Sequence, residues 1–100
     1  MIDLKKLQKE IYANKIKQGF NVEDIYLEFC YILGELAEAF ETYYKKKGDL
    51  GEELADIVIY LLGLAEILGI DLEKEVTKKI KVNKKRKYVK KNGVRVKAKK

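Results

Sequence analysis

The chain has 100 residues, with 22 lysines and arginines against 16 acids, and it contains no histidine, no serine, no proline and a single cysteine, Cys30. This composition excludes disulfide frameworks, the usual zinc sites, and Ser–His or Cys–His nucleophilic chemistry. The length suits one domain that gains stability by oligomerising, and a lone cysteine without an apolar N-terminal leader predicts a cytoplasmic location.

Two helices are predicted in the first half of the chain. The first runs over about residues 3–18 and ends at Gly19. Asn21 is the predicted N-cap of the second helix, which runs to about Lys47 and is closed by Gly48. Its apolar positions recur at a spacing of three and four, which is typical of a helix with one buried face.

Two more helices are predicted in the second half. The third covers about residues 50–68 and is apolar on all sides from Leu54 onward, which predicts a partner subunit around it. Its longest uncharged run is residues 57–65, far shorter than the roughly 20 residues that span a bilayer, so no membrane partner is expected. Asp71 caps the fourth helix, which runs to about Arg86.

The C-terminal tail differs from the body in charge. Residues 85–100 hold nine lysines and arginines and no acid, whereas residues 1–84 are mildly acidic. Such a tail is either a solvated segment or a patch that attracts phosphates. An Asn-Gly pair at residues 92–93 predicts a β-hairpin. The expected division is a helical domain over residues 1–88 and a basic tail over 89–100.

Two pairs of acids stand out because they lie in apolar helical segments. Glu35 and Glu38 form one pair, and Glu53 and Asp56 form the other. Residues three apart share a helix face, and acids beside an apolar surface are costly unless their charge is cancelled. A hard divalent cation cancels several convergent carboxylates, and Mg²⁺ suits a site that also binds phosphate.

Other interpretations of these acids remain open. Asp56 could instead form an ion pair with a lysine of another helix, and Glu35 and Glu38 could simply face water. Glu28 lies on the same flank as Glu35, two turns earlier. Iron is not expected, because helical di-iron sites use Glu-x-x-His pairs and the chain has no histidine.

The fourth helix adds a basic stripe. Lys79, Asn83 and Arg86 follow one another at helical spacing, so a cation, an amide and a guanidinium share a face. Such a stripe could hold a polyphosphate, or it could be a solvated lysine-rich surface.

Three segments, together with these basic residues, carry a resemblance. Residues 34–39 read Gly-Glu-Leu-Ala-Glu-Ala, residues 51–62 read Gly-Glu-Glu-Leu-Ala-Asp-Ile-Val-Ile-Tyr-Leu-Leu, and residues 68–73 read Leu-Gly-Ile-Asp-Leu-Glu. Over about residues 3–88 the chain resembles the MazG-like nucleotide pyrophosphohydrolases. The resemblance implies an all-α bundle that a homodimer or homotetramer completes. It also implies Mg²⁺-dependent hydrolysis of nucleoside triphosphates to monophosphate and pyrophosphate, with Mn²⁺ as a substitute metal.

The resemblance also assigns roles to individual residues. It implies that Glu35, Glu53 and Asp56 are metal ligands and that Glu38, an acid near the site, serves catalysis. It implies that the substrate phosphates are approached by Lys79, Asn83 and Arg86.

One position departs from the family pattern. The family usually has a further Glu three residues before the one that matches Glu35, and here that position is Ile32. Either a ligand is missing or Glu38 or Glu28 replaces it. The departure leaves two alternatives to an active hydrolase. One is a weak or inactive nucleotide-binding regulator; the other, which is less expected, is a nucleic-acid-binding oligomer with a basic arm, since Tyr88 is the only aromatic residue in the tail.

Overall fold

Four helices and a hairpin follow one another along the chain, whose computed structural model describes residues 2–97. The helices are α1 (Leu4–Gln18), α2 (Ile25–Lys45), α3 (Leu50–Ile67) and α4 (Leu72–Lys85), and the strands are β1 (Tyr88–Lys91) and β2 (Val94–Lys97). The predicted all-α fold is confirmed. The predicted hairpin is present, with Asn92 and Gly93 both at positive φ, as a two-residue type I′ turn requires. Residues 98–100 of the predicted basic tail lie outside the described residues.

Each helix begins after an aspartate that acts as its N-cap. The caps are Asp3, Asp24, Asp49 and Asp71, and each carboxylate accepts a hydrogen bond from the backbone N–H three residues on. Such a cap satisfies one of the N–H groups that the first turn leaves unpaired and stabilises the helix by about 1 kcal/mol. The repeated use of aspartate therefore sets the four helix starts locally.

The ends of α2 differ from the sequence prediction. Asn21 is not the N-cap, because the carboxylate of Asp24 accepts from the backbone N–H of Leu27. The Asn21 side chain instead binds the Asp24 backbone, with Nδ2 donating to its carbonyl at 2.9 Å and Oδ1 accepting from its N–H at 3.1 Å. At the other end the chain leaves the helix at Lys46, which is left-handed with φ 55°, and not at Gly48.

The core lies along α3, which packs against both α1 and α2. The segment Leu62–Ala65 is buried, and Ala39 is buried on α2. At Gly63 a Cβ atom would lie 3.3 Å from Cγ2 of Ile11 and 3.4 Å from Cδ of Lys15. The absence of a side chain there thus lets α1 approach α3 closely. Among the described residues, no helix combines the length and the apolar character that crossing a membrane requires.

Gln8 joins α1 to the link between α3 and α4. Its side chain is only 1% exposed. Nε2 donates to the carbonyl of Ile70 at 2.9 Å and to Glu66 Oε1 at 3.2 Å, while Oε1 accepts from the backbone N–H of Leu72 at 2.8 Å. This buried amide has its donors and its acceptor satisfied, so it fixes the start of α4 beside α1.

The outer faces of α2 and α3 expose large apolar side chains. Leu33 is 65% exposed and Phe40 69% exposed on α2, and Leu54 and Val58 of α3 are about half exposed (50% and 51%). Leu33 and Phe40 share one face of α2, and Leu54 and Val58 share one face of α3, and exposed apolar faces of this kind usually mark an interaction site. The surface agrees with the expectation of a partner subunit, and the oligomeric state stays a prediction.

Candidate metal centre

Three carboxylates from two helices meet at one place. Glu35 and Glu38 come from the middle of α2 and Glu53 from the first turns of α3, and one oxygen from each lies within 4.8 Å of the others. Oxygens on opposite sides of a bound Mg²⁺ are about 4.2 Å apart, because each lies about 2.1 Å from the ion. The three groups are therefore close to the spacing that a shared cation needs.

Two of these carboxylates each have a buried oxygen that lacks a hydrogen-bond partner. Oε2 of Glu35 and Oε2 of Glu53 are buried and form no hydrogen bond with the described residues. Buried polar atoms are nearly always paired, and an unpaired one calls for a specific explanation. A cation between the two helices would supply the missing partner, so the residues present fit a divalent metal ion.

The electrostatics of the cluster point the same way. Burial raises the pKa of Glu35, and the charges of Glu38, Asp56 and Glu53 raise it further. Burial also raises the pKa of Glu53, followed by the charges of Glu38 and Asp56. A cation at the site would oppose these shifts, because it favours the ionised carboxylates.

Asp56 lies one turn beyond Glu53 on α3 and is half-buried. The closest grouping of oxygens contains Glu38 in its place, although Asp56 is near enough for its charge to raise the pKa of Glu35 and Glu53. Among the side chains that the structure describes, no lysine or arginine forms an ion pair with Asp56. The structure thus offers no support for the alternative of an interhelical ion pair.

Ile32 stands where the family usually has a glutamate, and Glu28 and Glu38 are the two acids that could replace that glutamate. Ile32 is half-buried on α2, one turn before Glu35. Glu28 lies outside the cluster, because its carboxylate is paired with Lys15 and accepts a hydrogen bond from Asn21. Of the two acids considered as replacements, the structure brings only Glu38 to the cluster.

Within one chain, the described packing does not bring the basic stripe of α4 to the acid cluster. Lys79 and Asn83 are exposed, Arg86 is half-buried, and Arg86 Nη1 donates to Asn83 Oδ1 at 3.3 Å. Helix α4 packs mainly against α1, whereas the acids lie between α2 and α3. The approach of these three side chains to a substrate therefore stays a prediction.

Sequence reasoning missed a buried ion pair between α1 and α2. Lys15 is 7% exposed and Glu28 1% exposed, and the ammonium also lies 5.5 Å from the centre of the Tyr60 ring. A sequence signal existed, because Lys15 follows Ile11 by four residues and so lies on the apolar face of α1. Its partner could not be identified from spacing, since the two residues lie on different helices.

Comparison with known proteins establishes the family of this chain. The sequence model of the MazG-like family matches residues 21–100. A solved structure, the cyanophage S-2L MazG-like pyrophosphohydrolase bound to dGDP and three catalytic Mn²⁺ ions per active site, shares the fold with a TM-score of 0.74 and 22% identity, over 99% of this chain and 100% of that one. Among curated proteins none matches the chain. The match over most of the sequence shows that this chain belongs to the MazG-like family.

Proposed function

We propose that the protein is a metal-dependent nucleotide pyrophosphohydrolase that converts a nucleoside triphosphate to the monophosphate and pyrophosphate. The observation that carries the proposal is the meeting of Glu35, Glu38 and Glu53 around two buried oxygens that lack partners. Family membership supports it, as does the fold shared with a phage pyrophosphohydrolase that binds Mn²⁺ and a nucleoside diphosphate.

Glu35, Glu53 and Asp56 would hold the metal, with Mg²⁺ as the expected ion and Mn²⁺ as its substitute. When bound, the ion would supply charge that attracts the phosphates and offsets the negative charge of the transition state. Oxygens of Glu35 and Glu53 already lie within 4.8 Å of each other, and Asp56 follows Glu53 by one turn of α3, so two of the three proposed ligands are positioned before the ion arrives. Such preorganisation avoids reordering side chains during binding.

Glu38 is the exposed member of the cluster and is the proposed catalytic base. In the reaction, a water oxygen bonds to phosphorus at the α–β anhydride, the bridging P–O bond breaks and pyrophosphate leaves. The proton of the water passes to the Glu38 carboxylate, which can accept it because the side chain reaches solvent and the cluster alike.

We also propose that a second copy covers the apolar faces of α2 and α3, in a homodimer or a homotetramer. Their exposed leucines and aromatic residues are the surface that such contacts bury. The packing of α4 within one chain leaves Lys79, Asn83 and Arg86 away from the acids, and an assembly gives them a route to the phosphates of a nucleotide held by another copy.

The proposal is tested with purified protein, a panel of ribo- and deoxynucleoside triphosphates, and Mg²⁺ or Mn²⁺. The expected result is release of pyrophosphate rather than inorganic phosphate from at least one nucleotide, and none when the metal is chelated. A folded protein that binds nucleotide with either metal but releases no pyrophosphate from any would indicate the inactive alternative. Steeply salt-dependent binding of DNA or RNA, without turnover, would indicate the basic-arm alternative.

A further inference from the structure

Four exposed lysines form a row along one side of α4. They recur at spacings of four, three and four residues, so they lie within about 60° of one another around the helix axis. The lysine row consists of Lys74, Lys78, Lys81 and Lys85. It lies nearly opposite the apolar positions Leu72, Val76 and Ile80. Because a helix rises about 1.5 Å per residue, the row is a strip of positive charge about 16 Å long.

The lysine row is separate from the side chains that are proposed to approach the substrate. Lys79, Asn83 and Arg86 lie on the same helix, but about 140° around its axis from the centre of the row. The acid cluster belongs to another part of the fold, because it lies between α2 and α3 whereas α4 packs mainly against α1. The charges of the row are therefore not used by the proposed hydrolysis.

The described residues leave the charges of the row uncompensated. Among them, no carboxylate forms an ion pair with any of the four ammonium groups. Like charges three or four residues apart destabilise a helix, and the row contains three such neighbouring pairs in succession. The helix dipole favours Lys85 in the last turn but disfavours Lys74 in the first turn. An anion that binds from outside therefore explains the row better than helix stability does.

A groove of about 520 Å³ runs beside the row, and its two acids are already engaged. The four lysines line this groove together with Thr77 and Val82. Asp71 and Glu73 line it as well, but Asp71 caps α4, and Glu73 Oε1 accepts a hydrogen bond from the backbone N–H of Leu4 at 3.0 Å. The rest of the groove thus presents cations to a ligand.

The length of the row fits an extended polyanion. Each strand of duplex DNA presents one phosphate per about 3.4 Å of its axis, so a row about 16 Å long spans about five phosphates. Lysine binds phosphate as a point charge on a flexible stem, which tolerates an imperfect match of spacing. None of the described residues that line the groove is aromatic, whereas binding of single strands usually depends on aromatic stacking. The row therefore favours duplex DNA contacted through its phosphates.

The chain continues the positive charge beyond α4. The hairpin register places Lys90 opposite Arg95, and like charges directly opposite each other destabilise a strand pair. Residues 74–97 hold twelve lysines and arginines against one acid, Glu75, whereas residues 1–73 hold eight against fifteen acids. This concentration of positive charge in one segment attracts a polyanion to that segment, while the rest of the chain repels it.

We infer that the lysine row binds the phosphate backbone of double-stranded DNA without reading its sequence, and that the hairpin extends this contact. The inference goes beyond hydrolysis and does not depend on it, because the acid cluster stays free for a nucleotide. Contacts that are confined to phosphates position a protein on a duplex but carry no sequence information.

The test measures binding of the complete chain to a short labelled DNA duplex by fluorescence anisotropy at several salt concentrations. Each lysine–phosphate contact contributes about −0.9 to the slope of log K against log salt concentration, so the wild-type slope should be about −4 or steeper. Two duplexes of unrelated sequence should bind equally. The slope should become shallower by about 3 to 4 in the row variant, Lys74→Gln/Lys78→Gln/Lys81→Gln/Lys85→Gln.

The matched control changes the net charge by the same amount at exposed lysines outside α4 and should keep the wild-type slope. It is Lys6→Gln/Lys9→Gln/Lys17→Gln/Lys47→Gln. Pyrophosphate release from a free nucleotide, where the wild type shows it, should be equal in the wild type and the row variant. Thermal unfolding checks that the variants are folded. Should the row variant not fold, Lys78→Gln/Lys81→Gln must show about half of its expected change in slope.

Three results would overturn the inference: no salt-dependent binding of duplex DNA by the wild type, a wild-type slope in the row variant, or an equal loss of slope in the control. If the row variant binds as the wild type does and Lys90→Gln/Arg95→Gln does not, the contact belongs to the hairpin alone. Tighter binding of single-stranded DNA or of duplex RNA would overturn the choice of duplex DNA. Binding to vesicles of phosphatidylcholine and phosphatidylserine in place of DNA would overturn it in favour of a membrane surface.

Discussion

Helix α2 carries two acids that bury carboxylate oxygens, Glu28 and Glu35, and the protein compensates their charges in opposite ways. At Glu28 the compensation is internal, because Lys15 and Asn21 satisfy both carboxylate oxygens. At Glu35, two turns further on, the neighbours are other acids, and one oxygen is buried without a partner. Helix α2 therefore carries one carboxylate whose charge is compensated within the chain, Glu28, and one whose charge is not, Glu35. The uncompensated carboxylate indicates where a cation from outside would bind.

The contrast also bears on how each region depends on solution conditions. The Lys15–Glu28 pair needs nothing beyond the polypeptide, so its contribution should be independent of divalent metals. The cluster of Glu35, Glu38 and Glu53 is destabilised by mutual repulsion until a cation arrives. The two regions can thus be distinguished by variants and by metal.

Removal of the internal cation is expected to have the largest effect. Lys15→Met leaves the Glu28 carboxylate buried without its counter-charge, so the free energy of unfolding should fall by about 3–5 kcal/mol. Urea denaturation measures the change. The Lys15→Met/Glu28→Leu variant should recover most of the loss, because no lone charge remains. A Lys15→Met protein as stable as the wild type would show that the pair is not an important buried contact.

A neutral residue in the acid cluster should not lower the stability of the metal-free protein, unlike Lys15→Met, but it should strongly lower activity. Glu53→Gln removes a proposed metal ligand, so pyrophosphate release should fall by roughly 100-fold or more. Without metal the variant should be at least as stable as the wild type, because a repelling charge is gone. Thermal unfolding with and without Mn²⁺ should show that its metal-dependent stabilisation is lost.

The control for this variant is Glu41→Gln on α2, where the carboxylate is exposed and paired with Lys45. It should retain both turnover and the stabilisation by Mn²⁺. If Glu53→Gln kept its stabilisation by Mn²⁺ to the same degree as this control, Glu53 would not be a ligand.

The contrast along α2 also shows what the sequence could and could not predict. Helix starts and the convergence of acids follow from local rules, since aspartate caps and three-residue spacing act within a few residues. The sequence predicts Asn21 as the cap of α2, and the structure has Asp24, because asparagine and aspartate rank alike as N-caps. The Lys15–Glu28 pair, and the nearer position of Glu38 than Asp56, depend on how the helices are rotated against one another. That rotation is set by packing, for example at Gly63, and not by spacing.

A glutamate at position 32, where the family usually has one, should make the acid cluster a better cation site. Ile32 lies one turn before Glu35 on the same face, so Ile32→Glu adds a carboxylate to the cluster. We expect the affinity for Mn²⁺ to rise by about tenfold, measured by calorimetry, because each added oxygen ligand increases the charge at the site. Ile32→Gln has a similar shape and no charge, so equal affinities for the two variants would show that position 32 does not face the ion.

The smallest expected effect is a pH dependence that belongs to the cluster alone. The pKa values of Glu35 and Glu53 are raised from an ordinary value of 4.5, so the folded protein holds these protons more tightly than the unfolded chain. The free energy of unfolding of the metal-free protein should therefore be fully supported below about pH 4.5 and should fall as the pH rises through the raised pKa values. Urea denaturation in the presence of a chelator measures this slope. A Glu35→Gln/Glu53→Gln variant should flatten it, whereas an unchanged slope would place its origin elsewhere. Saturating Mn²⁺ should reverse it, because the ion binds the deprotonated carboxylates.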